Sequence, residues 1–171
     1  MADLPPNSKA DPLFQALGRV PSGLFILTAR RGDRPDGLLA SWVQQAGFEP
    51  PMLTVALRSD RELTGGIVAV GRFTLNQVAA GQKHLIRHFA RGFEPEAPAF
   101  EGIDLRDQED GDGNNASGAV LAEALAFLRC EVTGDLAGGD HRILLARVVA
   151  GGLLAADAEP MVHIRKNGAH Y

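Results

Sequence analysis

The sequence predicts a mainly β protein, a closed or nearly closed antiparallel barrel whose ends are plugged by short helices. Six or more short stretches rich in apolar and β-branched residues are bounded by Gly, Pro, Asn and Asp, which is typical of strands and turns. Only three short stretches are predicted to be helical. Many strands joined by turns, with few helices, favour a sheet that closes on itself.

Length and composition predict one domain. A chain of 171 residues fits a single hydrophobic core, so we expect one domain over residues 12–171 after a disordered, Pro-rich lead at residues 1–11. The formal net charge of −4 argues against a nucleic-acid-binding protein, which usually presents a basic face to phosphate. The sequence has no secretory signal and no apolar run of membrane-spanning length, so we expect a cytoplasmic protein without membrane contact.

The first half of the chain is predicted to contain all three helices. Asp11 is expected to be the N-cap of the first, because Pro12 suits the first helical position. The expected elements are a helix at 12–20, a strand at 23–30, a hairpin loop at 30–37, a strand containing 39–45, a Pro-Pro corner, a strand at 52–59, a helix at 62–70, a strand at 72–78 and a helix at 81–92.

The second half is predicted to be an exposed acidic loop followed by strands. The loop spans residues 104–117, a long hairpin spans 125–154 with its turn at 137–140, and a last strand spans 161–171. Cys130, the single cysteine, lies in an apolar segment and is expected to be an inert buried thiol.

Several sequence motifs of known binding sites occur here, but the residues around them do not suit those sites. Residues 111–116 match a loosened dinucleotide fingerprint, but they follow an acidic run instead of a strand. His84 and His88 are spaced to share a helix face, yet Leu85 occupies the position where a zinc protease needs its glutamate. We therefore expect two partly exposed helix histidines and no metal site. No nucleophile motif occurs either, so an enzyme of this sequence would take its reactivity from a cofactor.

One strand has an unusual composition for a barrel core. Residues 39–45 carry the small Ala40 and Ser41, the aromatic Trp42 and two glutamines where apolar residues are expected. Small residues let a flat ligand approach the backbone, and hydroxyls and amides can bond its carbonyls. After the Pro-Pro corner, the "RSDR" stretch at 58–61 offers charge and hydrogen bonds to a phosphate, although its arginines can equally be solvated strand-end residues.

The chain resembles the flavin reductase-like family of FMN-binding split barrels. The matching blocks, in chain order, are VPSGLFILTAR, DGLLASWVQQAGFEPPMLTVALRSDR, VGRFTLNQV, LIRHFARGF, LAFLRCEV, GDHRILLARV and VHIRKNGAHY. The resemblance covers residues 12–171 and is nearest to the flavin reductase domain at the C-terminus of cyanobacterial-type flavodiiron proteins. It implies an antiparallel Greek-key split barrel that binds FMN as a homodimer, with the cofactor near the interface.

The resemblance also implies the site residues. FMN is expected to lie along the strand formed by Leu39, Ala40, Ser41, Trp42, Val43, Gln44 and Gln45, with its phosphate at Arg58, Ser59 and Arg61. Phe89 and Tyr171 match aromatic positions that border the flavin, and His141 of the "GDH" block matches a residue near the reactive ring. The alternatives are a core aromatic for Trp42, an apolar helix residue for Phe89, a turn histidine for His141 and a frayed terminus for Tyr171.

The function that the resemblance implies is hydride transfer from NADH or NADPH to flavin, with electrons passed on to an acceptor or partner protein. The alternative is a flavin-binding electron-transfer or storage module without its own nicotinamide reaction. An oxidase of the pyridoxamine-phosphate type is a weaker third reading, because the "GDH" and "EPP" blocks look like flavin reductase. The sequence does not separate NADH from NADPH, since it contains no distinct nucleotide domain.

Overall fold

A computed structural model describes residues 11–94, 96–106, 117–166 and 168. This part of the chain forms three helices and nine strands, here listed in chain order: α1 (Pro12–Gly18), β1 (Ser22–Gly23), β2 (Phe25–Arg31), β3 (Arg34–Ala40), β4 (Val43–Gly47), β5 (Met52–Arg58), α2 (Glu62–Val70), β6 (Arg72–Gln77), α3 (Lys83–Phe89), β7 (Ala126–Gly138), β8 (His141–Leu153) and β9 (Val162–His163).

Seven of the strands form one antiparallel sheet in the order β3-β2-β6-β7-β8-β5-β4. β3 and β4 lie at opposite edges of this sheet, yet only Ser41 and Trp42 separate them in the chain. Two residues span only about 10 Å between flanking Cα atoms, so the sheet must curl until its edges nearly meet. The Ala56 N–H of β5 donates to the Trp42 carbonyl at 2.9 Å, which continues the pairing of β5 with β4 into the seam between β3 and β4. The predicted mainly β, antiparallel split-barrel fold is confirmed.

The barrel interior is the main hydrophobic core. Its strands contribute alternate residues, as in β5, where Leu53, Val55 and Leu57 are buried and face inward. In β8 the inward residues are Leu144 and Ala146, both with no exposed surface. The intervening residues of β5 and β8 therefore lie on the outer face of the barrel.

A second core covers the outer face of β2 and β3. It contains Ile26 and Val78 from the sheet region, Leu85 and Phe89 from α3, and Leu121 from the segment before β7. On β8, by contrast, Leu145 of the outer face is 38% exposed. One part of the outer barrel surface is thus covered by the chain's own segments, and another part faces solvent.

Buried polar side chains attach the segment before β7 to the sheet. The Thr28 hydroxyl donates to the Ala119 carbonyl at 2.6 Å, and the Thr74 hydroxyl donates to the Ser117 carbonyl at 2.7 Å. Asn76 accepts from the Leu121 N–H at 2.9 Å and donates to the Ala119 carbonyl at 3.1 Å. These bonds satisfy hydroxyl and amide groups that would be costly to bury without partners.

The structure confirms several predicted elements. Asp11 is the N-cap of α1 and its carboxylate accepts from the Leu13 N–H at 2.8 Å. The helix at 62–70 has the predicted bounds, and the long hairpin turns at Gly139 and Asp140. No helix in the described residues is long and apolar enough to cross a membrane.

Three sequence-based boundaries are wrong. The strand expected through residues 39–45 is two strands, because the chain changes barrel edge at Ser41 and Trp42. The hairpin loop expected at 30–37 is a two-residue turn at Gly32 and Asp33, since pairing of β2 with β3 continues to Arg31 and Arg34. The last strand expected at 161–171 is shorter in the part of that range that the structure describes, residues 161–166 and 168: there only β9 is strand, and it pairs with β1 outside the main sheet. Most of the predicted acidic loop, residues 107–116, lies outside the described residues, as does the N-terminal lead at 1–10.

Candidate functional site

The seam between β3 and β4 places Trp42 on the outer face. Ala40 and Ser41 are buried, at 4% and 2% exposure. Val43 pairs with Val55 and packs against the barrel core, so its neighbour Trp42 faces outward. A small side chain, a hydroxyl and an indole thus occupy the consecutive positions 40–42, where the barrel wall is interrupted.

His141 lies against this indole. The two ring centroids are 4.5 Å apart, with the planes tilted by 38°. His141 begins β8 directly after the turn in which Gly139 adopts a positive φ of 72°, and it is paired in register with Arg58 at the end of β5. The loop after β5, the β7–β8 turn and the barrel seam therefore meet at one point.

Asp140 orients the histidine ring. The Asp140 Oδ1 atom lies 2.7 Å from His141 Nδ1, and this hydrogen bond lowers the pKa of Asp140 below its usual range. The Asp140 carbonyl accepts from the Ser59 N–H at 2.9 Å, so the backbone of the turn is also attached to β5. With Nδ1 donating to a carboxylate, the Nε2 edge is left for a ligand.

Arg58 forms a two-point ion pair within the same loop. Its Nε and Nη2 atoms lie 2.9 and 2.5 Å from the two carboxylate oxygens of Asp60. The hydrogen bond raises the pKa of Arg58 and lowers that of Asp60. Both side chains are exposed, so the pair is open to exchange with an incoming anion.

A guanidinium approaches Trp42 from the C-terminal segment. The guanidinium carbon of Arg165 lies 5.0 Å from the centroid of the Trp42 ring. The Arg165 Nη2 atom is also 3.4 Å from the Leu17 carbonyl at the end of α1. Trp42 is therefore in contact with His141 and with Arg165.

A cavity of about 310 Å³ opens at the start of α2. It is lined by Arg31, Asp36, Gly37, Leu38, Asp60, Arg61, Glu62, Leu63, Gly92, Phe93 and Glu94. Arg61 is the N-cap residue of α2 but makes no side-chain cap, and its Nη1 donates to the Arg91 carbonyl at 3.0 Å. The N-terminus of α2, two arginines and four carboxylates thus line one concave site, whose larger apolar side chains are Leu38, Leu63 and Phe93.

The predicted site residues divide into groups. The structure brings Trp42, His141, Arg58 and Ser59 together, and places Arg61 in the adjoining cavity. Gln44 and Gln45 are exposed on β4. Leu39 packs on the second core, and Phe89 belongs to that core with no exposed surface, so neither is included in the proposed pocket. Tyr171 lies outside the described residues.

Sequence reasoning missed the residues that support this site. Asp140 orients His141, Asp60 pairs with Arg58, and Arg165 covers the Trp42 ring. The first two are sequence neighbours of predicted residues and could have been found from the "RSDR" and "GDH" stretches. Arg165 could not, because only the folded chain brings the C-terminal segment to the barrel seam.

The other titratable candidates make local contacts. His84 Nε2 lies 2.8 Å from Glu123 Oε1, and His88 Nε2 lies 2.8 Å from the Ala99 carbonyl. Across the described residues, no group of three or more His, Cys, Asp or Glu side chains is placed to hold a metal ion. Burial raises the pKa of the Cys130 thiol to about 12, which keeps it protonated at neutral pH.

Comparison with known proteins agrees with this arrangement. Residues 17–170 match the family model described as the flavin reductase like domain. The chain belongs to this flavin-binding family. Membership confirms the resemblance read from the sequence and classes the chain with flavin reductase-like oxidoreductase domains.

Curated relatives of the family domain are diflavin flavoproteins. Putative diflavin flavoprotein A 3 of Nostoc sp. is 39% identical over 160 residues, which is 93% of this chain and 27% of that protein. Diflavin flavoprotein A 1 of Synechocystis sp. is 37% identical over 160 residues, with the same coverage of both chains. The chain thus spans little more than a quarter of these relatives, and it corresponds to their flavin reductase domain.

Solved structures of similar fold include flavin reductases. The NADH:FAD oxidoreductase SgcE6 of Streptomyces globisporus has a TM-score of 0.80 at 25% identity, covering 98% of this chain and 95% of that one. The same protein in complex with NAD and FAD fragments matches at a TM-score of 0.75 and 25% identity, covering 90% and 86%. The styrene monooxygenase flavin reductase of Pseudomonas putida S12, at 23% identity and a TM-score of 0.71 over 88% and 90%, shows likeness of fold alone.

The residues of this chain fit a flavin. The cavity offers apolar contacts from Leu38 and Phe93, and the cation Arg61 at the start of a nine-residue helix that has no side-chain cap. Ser41 supplies a hydroxyl at the seam, and the neighbouring Ala40 leaves room for a ring to approach the backbone. This combination of apolar wall, cation and hydroxyl suits a ring with a phosphate tail.

Proposed function

We propose that this domain binds FMN and catalyses its reduction by NADH or NADPH, passing the electrons to an acceptor or partner protein. The contact of His141 with Trp42 beside Arg58, in a chain of the flavin reductase-like family, is the observation that carries the proposal. Support also comes from SgcE6, which is described as an NADH:FAD oxidoreductase and has been solved in complex with NAD and FAD fragments.

The flavin is proposed to occupy the seam and the cavity beside it. Its ring would contact Ala40, Ser41 and Trp42, while Arg61 and the N-terminus of α2 would hold the phosphate. Arg58 and Ser59 would make further contacts with the phosphate. Arg58 would then exchange its ion pair with Asp60 for one with the ligand. The redox chemistry, in which a hydride leaves the nicotinamide and electrons pass on, is supplied by the flavin when it is bound.

The chain's own residues position the donor and exclude water. Trp42 would form part of the wall that holds a nicotinamide at reacting distance from the flavin. His141, with Nδ1 fixed by Asp140, presents its Nε2 edge to the carboxamide of the nicotinamide. Hydride transfer needs no general acid, so we assign His141 to orientation.

We propose that the domain is a homodimer whose interface includes the outer face of β8. Side chains alternate between the two faces of a strand, and Leu144 and Ala146 point into the barrel. The outward residues of β8 in this region are therefore His141, Ile143 and Leu145. Leu145 of this set is an exposed apolar residue near the candidate site. A dimer interface that completes a ligand pocket would bury such a residue.

One spectroscopic experiment tests the function. The purified protein is titrated with FMN and with FAD, and NADH or NADPH is then added without oxygen while flavin absorbance is followed. Rapid bleaching of bound flavin is expected, with tighter binding of FMN than of FAD. A protein that binds neither flavin would contradict the whole proposal, whereas bound flavin that stays oxidised with both donors would favour the electron-transfer or storage module.

A further inference from the structure

The C-terminal segment crosses the candidate site at a defined position. Arg165 lies over the ring of Trp42, 5.0 Å from its centroid, while His141 contacts the same ring at 4.5 Å. Arg165 is only partly exposed, and its Nη2 atom also reaches the Leu17 carbonyl at 3.4 Å. The guanidinium therefore connects α1 to the indole that forms one surface of the site.

Backbone bonds anchor this segment on both sides of Arg165. Before it, the Met161 N–H donates to the Val78 carbonyl at 2.9 Å, and β9 pairs with β1. After it, the Gly168 N–H donates to the Phe14 carbonyl in α1. We name residues 159–166 and 168 the C-terminal strap; the anchors are close together in the chain, so the position of Arg165 is determined by the fold.

An anchored cation restricts the orientation of the aromatic ring it contacts. Trp42 lies at the seam with solvent on its outer side, and it occupies the interruption between two strands instead of lying within one. A guanidinium that stacks on an indole favours one ring orientation through the ring's quadrupole and through contact area. A donor that binds against this indole gains from a ring that is already oriented.

We propose that Arg165 is a positioning residue for the nicotinamide donor, acting through Trp42. This inference rests on the proposed function. Arg165 holds the indole in the orientation that accepts the nicotinamide and takes no part in the hydride transfer; the flavin is held mainly by the other contacts proposed above, so its affinity depends less on this ring. Its loss therefore weakens donor binding while turnover at saturating donor is kept.

The test compares Arg165→Gln with Lys166→Gln. Lys166 is the exposed neighbour on the same strap, so both variants remove one positive charge from the same segment. In flavin-loaded protein, Arg165→Gln is expected to raise the KM for NADH roughly two- to fivefold, with kcat unchanged and with a smaller loss of flavin affinity. Arg165→Lys, which keeps a cation, should recover part of this loss.

A second readout needs neither flavin nor turnover. Trp42 is the single tryptophan of the sequence, so intrinsic fluorescence reports on this ring alone. In flavin-free protein, Arg165→Gln should shift the emission to longer wavelength and increase quenching by acrylamide, whereas Lys166→Gln should match the wild type.

Two results overturn the inference separately from the proposed function. If the wild type reduces flavin and Arg165→Gln equals Lys166→Gln in KM and in quenching, the positioning role is wrong. If Arg165→Gln lowers kcat and flavin affinity to the same degree as it raises KM, Arg165 has a general structural role. A wild type that binds flavin but leaves it oxidised with both donors overturns the proposed function and this inference with it.

Discussion

The Asp140–His141 pair shows how neighbouring residues prepare a site. The carboxylate fixes the histidine ring through Nδ1, and the carbonyl of the same aspartate is bonded to the Ser59 N–H. The His141 side chain is 12% exposed although that of Asp140 is 75% exposed, so the imidazole is held against Trp42 by a partner that remains in water.

The role proposed for His141 predicts a selective loss of turnover. His141→Ala is expected to lower kcat roughly ten- to hundredfold, because the donor loses an orienting contact, and to leave FMN affinity nearly unchanged. Stopped-flow reduction and flavin titration measure the two effects. Unchanged turnover in a variant with full flavin binding would remove His141 from the site, and His84→Ala, on α3, serves as the control.

The lowered pKa of Asp140 predicts how its contribution to stability depends on pH. A carboxyl whose folded pKa is below its unfolded value stabilises the fold above the unfolded pKa, and this contribution is lost as pH falls through the folded pKa. Asp140→Asn should therefore cost stability at about pH 5, and progressively less as the pH falls below about 4. Urea unfolding of both proteins across this range measures the difference, and a cost that grows towards low pH would contradict the assignment.

At the scale of elements, close backbone approach anchors the segment before β7. Gly118 has a φ of +92°, and a Cβ added to it would overlap the Thr28 carbonyl oxygen in β2. The hydroxyls of Thr28 and Thr74 bond the carbonyls on either side of this glycine. The positive φ of residue 118 and its close contact with β2 therefore both exclude a side chain at this position.

Gly118→Ala is accordingly expected to be strongly destabilising. The strain of a positive φ and the overlap with β2 should together lower the free energy of unfolding by more than about 2 kcal/mol. Gly134→Ala is the matched control, because Gly134 lies in β7 and a Cβ added there would have no atom within 4 Å. Equal urea midpoints for the two variants would show that the segment relaxes away from β2.

At the scale of the whole molecule, the barrel is covered unevenly. The second core shields the outer face of β2 and β3, whereas Leu145 and Leu136 of the β7–β8 hairpin are 38% and 65% exposed. Burial of such residues against a second copy would remove apolar surface from water next to Trp42 and His141.

The proposed dimer predicts the effect of a charge on this face. Leu145→Arg should shift the protein from dimer to monomer in sedimentation velocity, because an interface core does not tolerate an unpaired cation. The monomer should remain folded, since Leu145 points away from the barrel interior. Val70→Arg, at a similarly exposed position at the end of α2, should leave the dimer intact. A wild-type protein that sediments as a monomer with full flavin would contradict the proposal.

Local patterns in the sequence determined most of the elements and part of the site. The Asp11 cap, the helix at 62–70 and the β7–β8 hairpin follow from capping residues, apolar periodicity and glycine turns, which act over a few residues. The seven blocks that carry the family resemblance, those around Trp42, Arg58 and His141 among them, can be recognised from the sequence because each is continuous in the chain.

Only the tertiary structure decided where the chain changes barrel edge and what surrounds Trp42. The break at Ser41 and Trp42 results from closure of the sheet, and no local signal distinguishes it from a continuous strand. The fold also brings Arg165 from the C-terminal strap onto an indole in the first third of the chain, and packing of α3 on the outer face of the barrel buries Phe89 in the second core. Such contacts depend on long-range packing, which composition and periodicity do not encode.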